Sequence, residues 1–156
     1  MGVLGDRFPD RQIQSYVGRC LNPGRVLYLF CGFTTPPKDK YLVLLCPRVT
    51  PRPLLFFINS RIRPYIQRHP DLLNCQVLLE ASHYSFLSHD SFIDCSKVID
   101  RFDCSAIRSQ LVNDIGRIKG ELDRDTKREI IQVVQLARTI SPHHKRLIIE
   151  SLKELA

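Results

Sequence analysis

The chain has 156 residues, 44% hydrophobic and 25% charged, which suits one domain with a buried core rather than a disordered tract. No apolar run approaches the roughly 18–20 residues that cross a bilayer, and the opening MGVLGDRFPDRQ lacks the basic-then-apolar order of a secretory leader. A soluble, cytoplasmic protein without a membrane association is therefore expected, and Asp6, standing where myristoylation takes Ser or Thr, argues against a lipid. The formal net charge of +7 raises the prospect of a polyanionic partner, although an acidic protein would answer it equally well.

In chain order, residues 1–24 are read as an N-terminal segment, 25–120 as a β-domain and 121–156 as a pair of helices. RVLYLFCGF, KYLVLLC, PLLFFIN and CQVLLEA are short apolar or aromatic runs bounded by Pro, Gly and Asp, and SFIDC makes a fifth. FTTPPKDK between the first two reads as a loop, because consecutive prolines remove backbone donors. SRIRPYIQRHPDLL is basic and proline-broken, a loop with one helical turn at most. Short strands at this spacing, followed by helices, predict an α+β fold built on a small barrel.

After residue 94 the period lengthens. CSKVIDRF and CSAIRSQLV read as short helices begun by serine caps, and IGRIKG as a brief strand or turn. LDRDTKREIIQVVQLARTI carries acids in its first turn, with Ile130, Val133 or Val134, and Ala137 at helical spacing. SPHHKRLIIESLKELA opens with Ser141 as N-cap and Pro142 at the first helical position, and places Leu147, Ile148, Leu152 and Leu155 along one face. His143 to Arg146 read as a surface cluster. The six cysteines, Cys20, Cys31, Cys46, Cys75, Cys95 and Cys104, form no Cys-x-x-Cys pair and are expected to be reduced, mostly buried hydrophobes.

The anchors PPKDKYLVLL, FFINS, SFIDC and IGRI, in a stretch covering residues 25–137, resemble the MazF/PemK toxin family. The resemblance implies an SH3-like barrel, a metal-independent endoribonuclease acting on single-stranded RNA, a homodimer, and an acidic antitoxin as partner, with no cofactor. It places Lys40 where the family carries an arginine, and Ser60 at the threonine or serine after the third strand. Lysine keeps the charge but loses the planar fork that grips a phosphate at two points.

Metal-independent cleavage of RNA needs a base for the ribose 2′-OH, an acid for the leaving oxygen and a cation for the charge gathering on phosphorus. LEASHYSFLSHDSFIDCS offers His83 and His89, which titrate near neutral pH, with Asp90 to orient an imidazole. Lys40, Arg61 and Arg63 supply cations, and Ser60 and Ser82 hydroxyls for phosphate oxygens. The same run is also what a solvated hairpin shows, with Asp90 and Ser91 as turn residues and Asp94 as a helix cap. A metal site from His83, His89 and Asp90 matches no defined spacing, so none is assigned. Tyr65, Tyr84 and Phe86 are the candidate base-stacking rings, with Arg61, Arg63 and Arg68 tracking phosphates. Tyr28, Phe56, Phe57 and Phe92 are assigned to the core. Two rivals stand beside the nuclease: a non-catalytic barrel binding a protein or nucleic acid, and a structural subunit held by its terminal helices.

Overall fold

The computed structural model describes residues 10–47 and 52–153; Asp6 and Leu155 lie outside them. The architecture is α+β. Six strands, β1 (Arg25–Cys31), β2 (Lys38–Cys46), β3 (Leu54–Asn59), β4 (Gln76–Leu79), β5 (Ser91–Asp94) and β6 (Ile118–Glu121), form one antiparallel sheet in the order β4-β5-β3-β2-β1-β6. It curls into half a barrel.

Helices cover both faces, which explains why β1, β2 and β3 read as unbroken apolar runs rather than alternating ones. On one face Val26, Val43, Leu45, Phe56 and Val77 meet Ile130 and Val134 of α5 (Arg124–Leu136) and Ile148 and Leu152 of α6 (Pro142–Lys153). On the other, Leu27, Leu29, Leu42, Leu44 and Leu55 meet Ile13 and Val17 of α1 (Asp10–Cys20) and Ile107 and Leu111 of α4 (Cys104–Asn113). The terminal helices thus share a core with their own sheet. The α5 N-terminus is fixed by Asp123, whose carboxylate accepts from the Thr126 N–H at 2.8 Å, and Ser141 does the same for His144 at 3.2 Å, as its N-cap reading expects.

The helix expected in CSKVIDRF does not form. Ile99 instead exchanges both backbone hydrogen bonds with Leu55, at 2.8 and 3.0 Å. Asp94, expected to cap that helix, holds a turn: its carboxylate accepts from the Ser96 N–H at 3.1 Å, from the Ser96 hydroxyl, and from Gln76 Nε2 at 2.9 Å. Helix α4 begins two residues earlier than a cap at Ser105 predicts, with Asp103 at its N-cap. SRIRPYIQRHPDLL holds two short helices, α2 (Pro64–Gln67) and α3 (Pro70–Leu73), rather than one turn.

Helix α1 escaped the sequence reading, though Ile13, Val17 and Cys20 at three-to-four spacing mark its buried face. Gly24, the turn before β1, has φ +91°, and a Cβ there would lie 2.4 Å from the Lys127 stem. That stem is buried and its Nζ pairs with Glu121 at 3.3 Å. Among the described residues no helix is long and apolar enough to cross a membrane. All six cysteines are free; Cys104 is half-buried and the rest are buried.

Candidate nucleic-acid interface

Strand β2 begins, and β3 ends, at one edge of the half-barrel, where Tyr41 pairs with Ile58 and Asn59 lies beyond it. Residues two apart share a face of a strand, so KDK puts Lys38 and Lys40 together on the α1/α4 side, past the end of that core. Lys40 sits over the Phe57 ring, 4.6 Å from its centroid, and donates to Asn59 Oδ1 at 2.7 Å. The ammonium is thereby held in place before any ligand arrives. Burial, and then the charges of Lys38 and Arg63, lower the Lys40 pKa from its usual value.

Two clefts meet at this edge. The larger, about 520 Å³, lies on the α1/α4 side. Five cations, Lys38, Lys40, Arg63, Lys97 and Arg101, face two carboxylates there, Asp94 and Asp100. Ser96 and Gln76 hydrogen-bond Asp94 without removing its charge, and the cations outnumber the carboxylates among the described residues, so the cleft presents a surplus of positive charge. Arg101 lies 5.1 Å over the Phe33 ring. The second cleft, about 400 Å³, lies on the α5/α6 side and is lined by Tyr28, Tyr41, Asp39, Ser60 and Arg61. Lys38, Lys40, Asn59 and Arg63 line both. The acid of the second cleft is neutralised, since Asp39 pairs with Arg117 at 2.9 Å.

The structure therefore brings Lys40, Ser60, Arg61 and Arg63 to one place. Tyr65 and Arg68 are exposed on and just after α2, with the Tyr65 ring 4.3 Å from that of His69. His83, His89 and Asp90 fall in the loop between β4 and β5 and line none of these clefts. His83 Nε2 lies 3.6 Å from Glu80, and both side chains are about half-exposed. The Asp90 carboxylate does not orient an imidazole: it accepts from the Ala81 N–H at 2.8 Å and closes the loop, and only the Asp90 backbone carbonyl meets His89 Nδ1, at 3.2 Å.

Tyr84 is a correction. Its side chain is 7% exposed, too little for a base to stack on. The hydroxyl hydrogen-bonds Thr126 Oγ1 at 2.9 Å and accepts from the Asp123 N–H at 3.2 Å, tying the loop to the start of α5. Burial raises the Tyr84 pKa. Burial pushes the Asp123 carboxyl up, but bonds from Thr126 and Tyr84 and the charge of His83 outweigh it and hold the carboxyl low. Tyr84→Phe strands those partners and is expected to cost about 1–3 kcal/mol in a denaturant titration. Parent-like stability of the variant would mean that this hydroxyl does not tie the loop to α5.

Tyr28 and Phe57, assigned to the core by sequence, are half-buried and line the clefts. Lys38, Asn59, Lys97 and Arg101 were missed. The period-two spacing of KDK is the signal for Lys38; reading CSKVIDRF as a helix hid the other two cations.

No protein-family model matches the chain, and comparison with curated proteins finds no match.

Proposed function

We propose that this protein binds single-stranded RNA across the two clefts and cleaves it without a metal, as a MazF/PemK-like endoribonuclease whose curled sheet is an SH3-like barrel. The convergence of Lys38, Lys40, Arg63, Lys97 and Arg101 on one cleft at the end of β2 and β3 carries the reading. In the reaction the ribose 2′-oxygen bonds to phosphorus, the bond from phosphorus to the 5′-oxygen breaks, and a 2′,3′-cyclic phosphate results. The 2′-OH proton leaves to a base and the 5′-oxygen gains one. Lys40, fixed by Asn59 and Phe57, meets the negative charge on the phosphoryl oxygens as it develops. Its lowered pKa also suits it to give a proton to the leaving oxygen. An acidic antitoxin competes for the same cations, and a second copy completes a homodimer.

The placement of His83 and His89 outside the clefts favours one alternative, a non-catalytic RNA binder. Gel cleavage of a long RNA in EDTA separates the two: fragments ending in a cyclic phosphate support the nuclease, and intact RNA with tight binding supports the binder. Affinity for a single-stranded oligonucleotide is expected to fall roughly 50-fold between about 50 and 200 mM salt if about four phosphates are neutralised. Arg61→Ala with Arg63→Ala should flatten that slope with little change in melting temperature, because both side chains are exposed. A parent affinity indifferent to salt overturns RNA binding altogether.

A further inference from the structure

We propose that the second cleft is a nucleobase seat, in which the Tyr28–Tyr41 pair stacks one unpaired base while the adjoining phosphate lies on Lys38, Lys40 and Arg63. The inference rests on the RNA reading above and adds base recognition to it.

Tyr28 and Tyr41 stand directly opposite each other in the β1–β2 register, their ring centroids 4.6 Å apart. Phe86 continues the row, 5.8 Å from Tyr41. It approaches over Gly120, where a Cβ would lie 3.2 Å from the Phe86 ring. Half-buried rings in an open cleft of about 400 Å³ leave aromatic surface facing solvent that the core does not use. Arg117 and Lys119 approach the Tyr28 ring only at 5.8 and 5.7 Å, near the outer limit of about 6 Å for such contacts, so neither is tightly seated on it.

The residues shared by the two clefts let one nucleotide use both: phosphate on the cations, base on the tyrosines. Asn59 gives its Oδ1 to Lys40, and its Nδ2 forms no hydrogen bond among the described residues, which leaves it to donate to a base carbonyl. An acidic peptide satisfies the cations but offers no flat π-surface for the pair, and stacking is what an RNA base adds.

The test uses the full chain and fluorescence anisotropy with three probes: a single-stranded RNA, an abasic ribose-phosphate strand of the same length, and inorganic polyphosphate as competitor. The abasic strand is expected to bind the parent roughly five- to hundred-fold more weakly than the RNA. Tyr28→Leu and Tyr41→Leu should lose most of that difference while polyphosphate competes as before, and Tyr28→Phe and Tyr41→Phe should bind as the parent does. With no tryptophan in the chain, tyrosine emission should change on adding RNA and not on adding polyphosphate. Equal affinity of the parent for RNA and the abasic strand, with a steep salt dependence, removes the base seat and leaves the RNA reading standing. That comparison needs no variant, so a poorly folded leucine substitution does not obscure it. Failure of the parent to bind either strand removes both readings.

Discussion

If the chain is the nuclease proposed above, Lys40→Met is expected to lower the single-turnover rate of RNA cleavage by about two to three orders of magnitude, the loss typical of removing one preorganised donor from a developing oxyanion. The expectation comes from how the ammonium is held. Asn59 Oδ1 and the Phe57 ring fix it, so its charge is aimed before the phosphate enters and no reorganisation accompanies the reaction. A freely rotating surface lysine contributes far less, which is why Arg61→Ala alone should cost only affinity.

The pH dependence follows from the direction of the Lys40 shift. Burial, Lys38 and Arg63 disfavour its protonated form in the folded chain, so the native state holds that proton less well than the unfolded one. Stability from this group therefore rises as pH climbs from the lowered native pKa to the ordinary lysine value of 10.5, and is absent below that window. The proposed cleavage is expected to run the other way, falling as pH passes through the lowered pKa because the charge is lost there. Lys40→Arg separates charge from proton transfer: a guanidinium remains charged throughout, so the alkaline fall should disappear if charge alone is needed. A dead Lys40→Arg enzyme with normal RNA affinity assigns Lys40 the role of proton donor. A Lys40→Met rate within a few-fold of the parent, on a folded protein, removes Lys40 from the reaction.

The parts of this fold that were legible in sequence are those where local pattern and tertiary environment agree. The apolar runs at Val26, Val43 and Phe56 became central strands, and Ser141 became a cap, because each signal is complete within a few residues. Residues 95–102 were misread because their conformation is set by a distant partner: Ile99 bonds Leu55, and no local feature announces that pairing. The site divides the same way. Lys40, Ser60, Arg61 and Arg63 come from adjacent strand ends and could be grouped by motif, whereas Lys97 and Arg101 reach the cleft only through that misread segment. Tyr84 shows the limit of composition. A tyrosine between a histidine and a serine looks exposed, but its partners Thr126 and Asp123 lie about forty residues away.

Leu152→Ala is expected to destabilise the chain by about 2–5 kcal/mol, since a fully buried leucine leaves a cavity when truncated. Leu152 and Ile148 have no exposed surface and pack in the same cluster as Val43 and Phe56. For a chain of this length the loss corresponds to roughly 5–20 °C in melting temperature. Leu136 is the internal control: at 83% exposed, its alanine variant should melt within about 2 °C of the parent. Deleting residues 141–156 goes further, uncovering the apolar faces of β2 and α5 together, and an apolar patch of that size drives association. The truncated chain should therefore aggregate or change its mass in solution. A soluble truncation with the parent mass and stability would contradict the packing described. The same packing bears on assembly: because α6 spends its apolar face on its own sheet, a homodimer cannot be built by pairing those faces without unfolding both copies. The homodimer proposed above would have to use another surface, and size-exclusion mass measured for Leu152→Ala at a temperature where it remains folded should equal that of the parent.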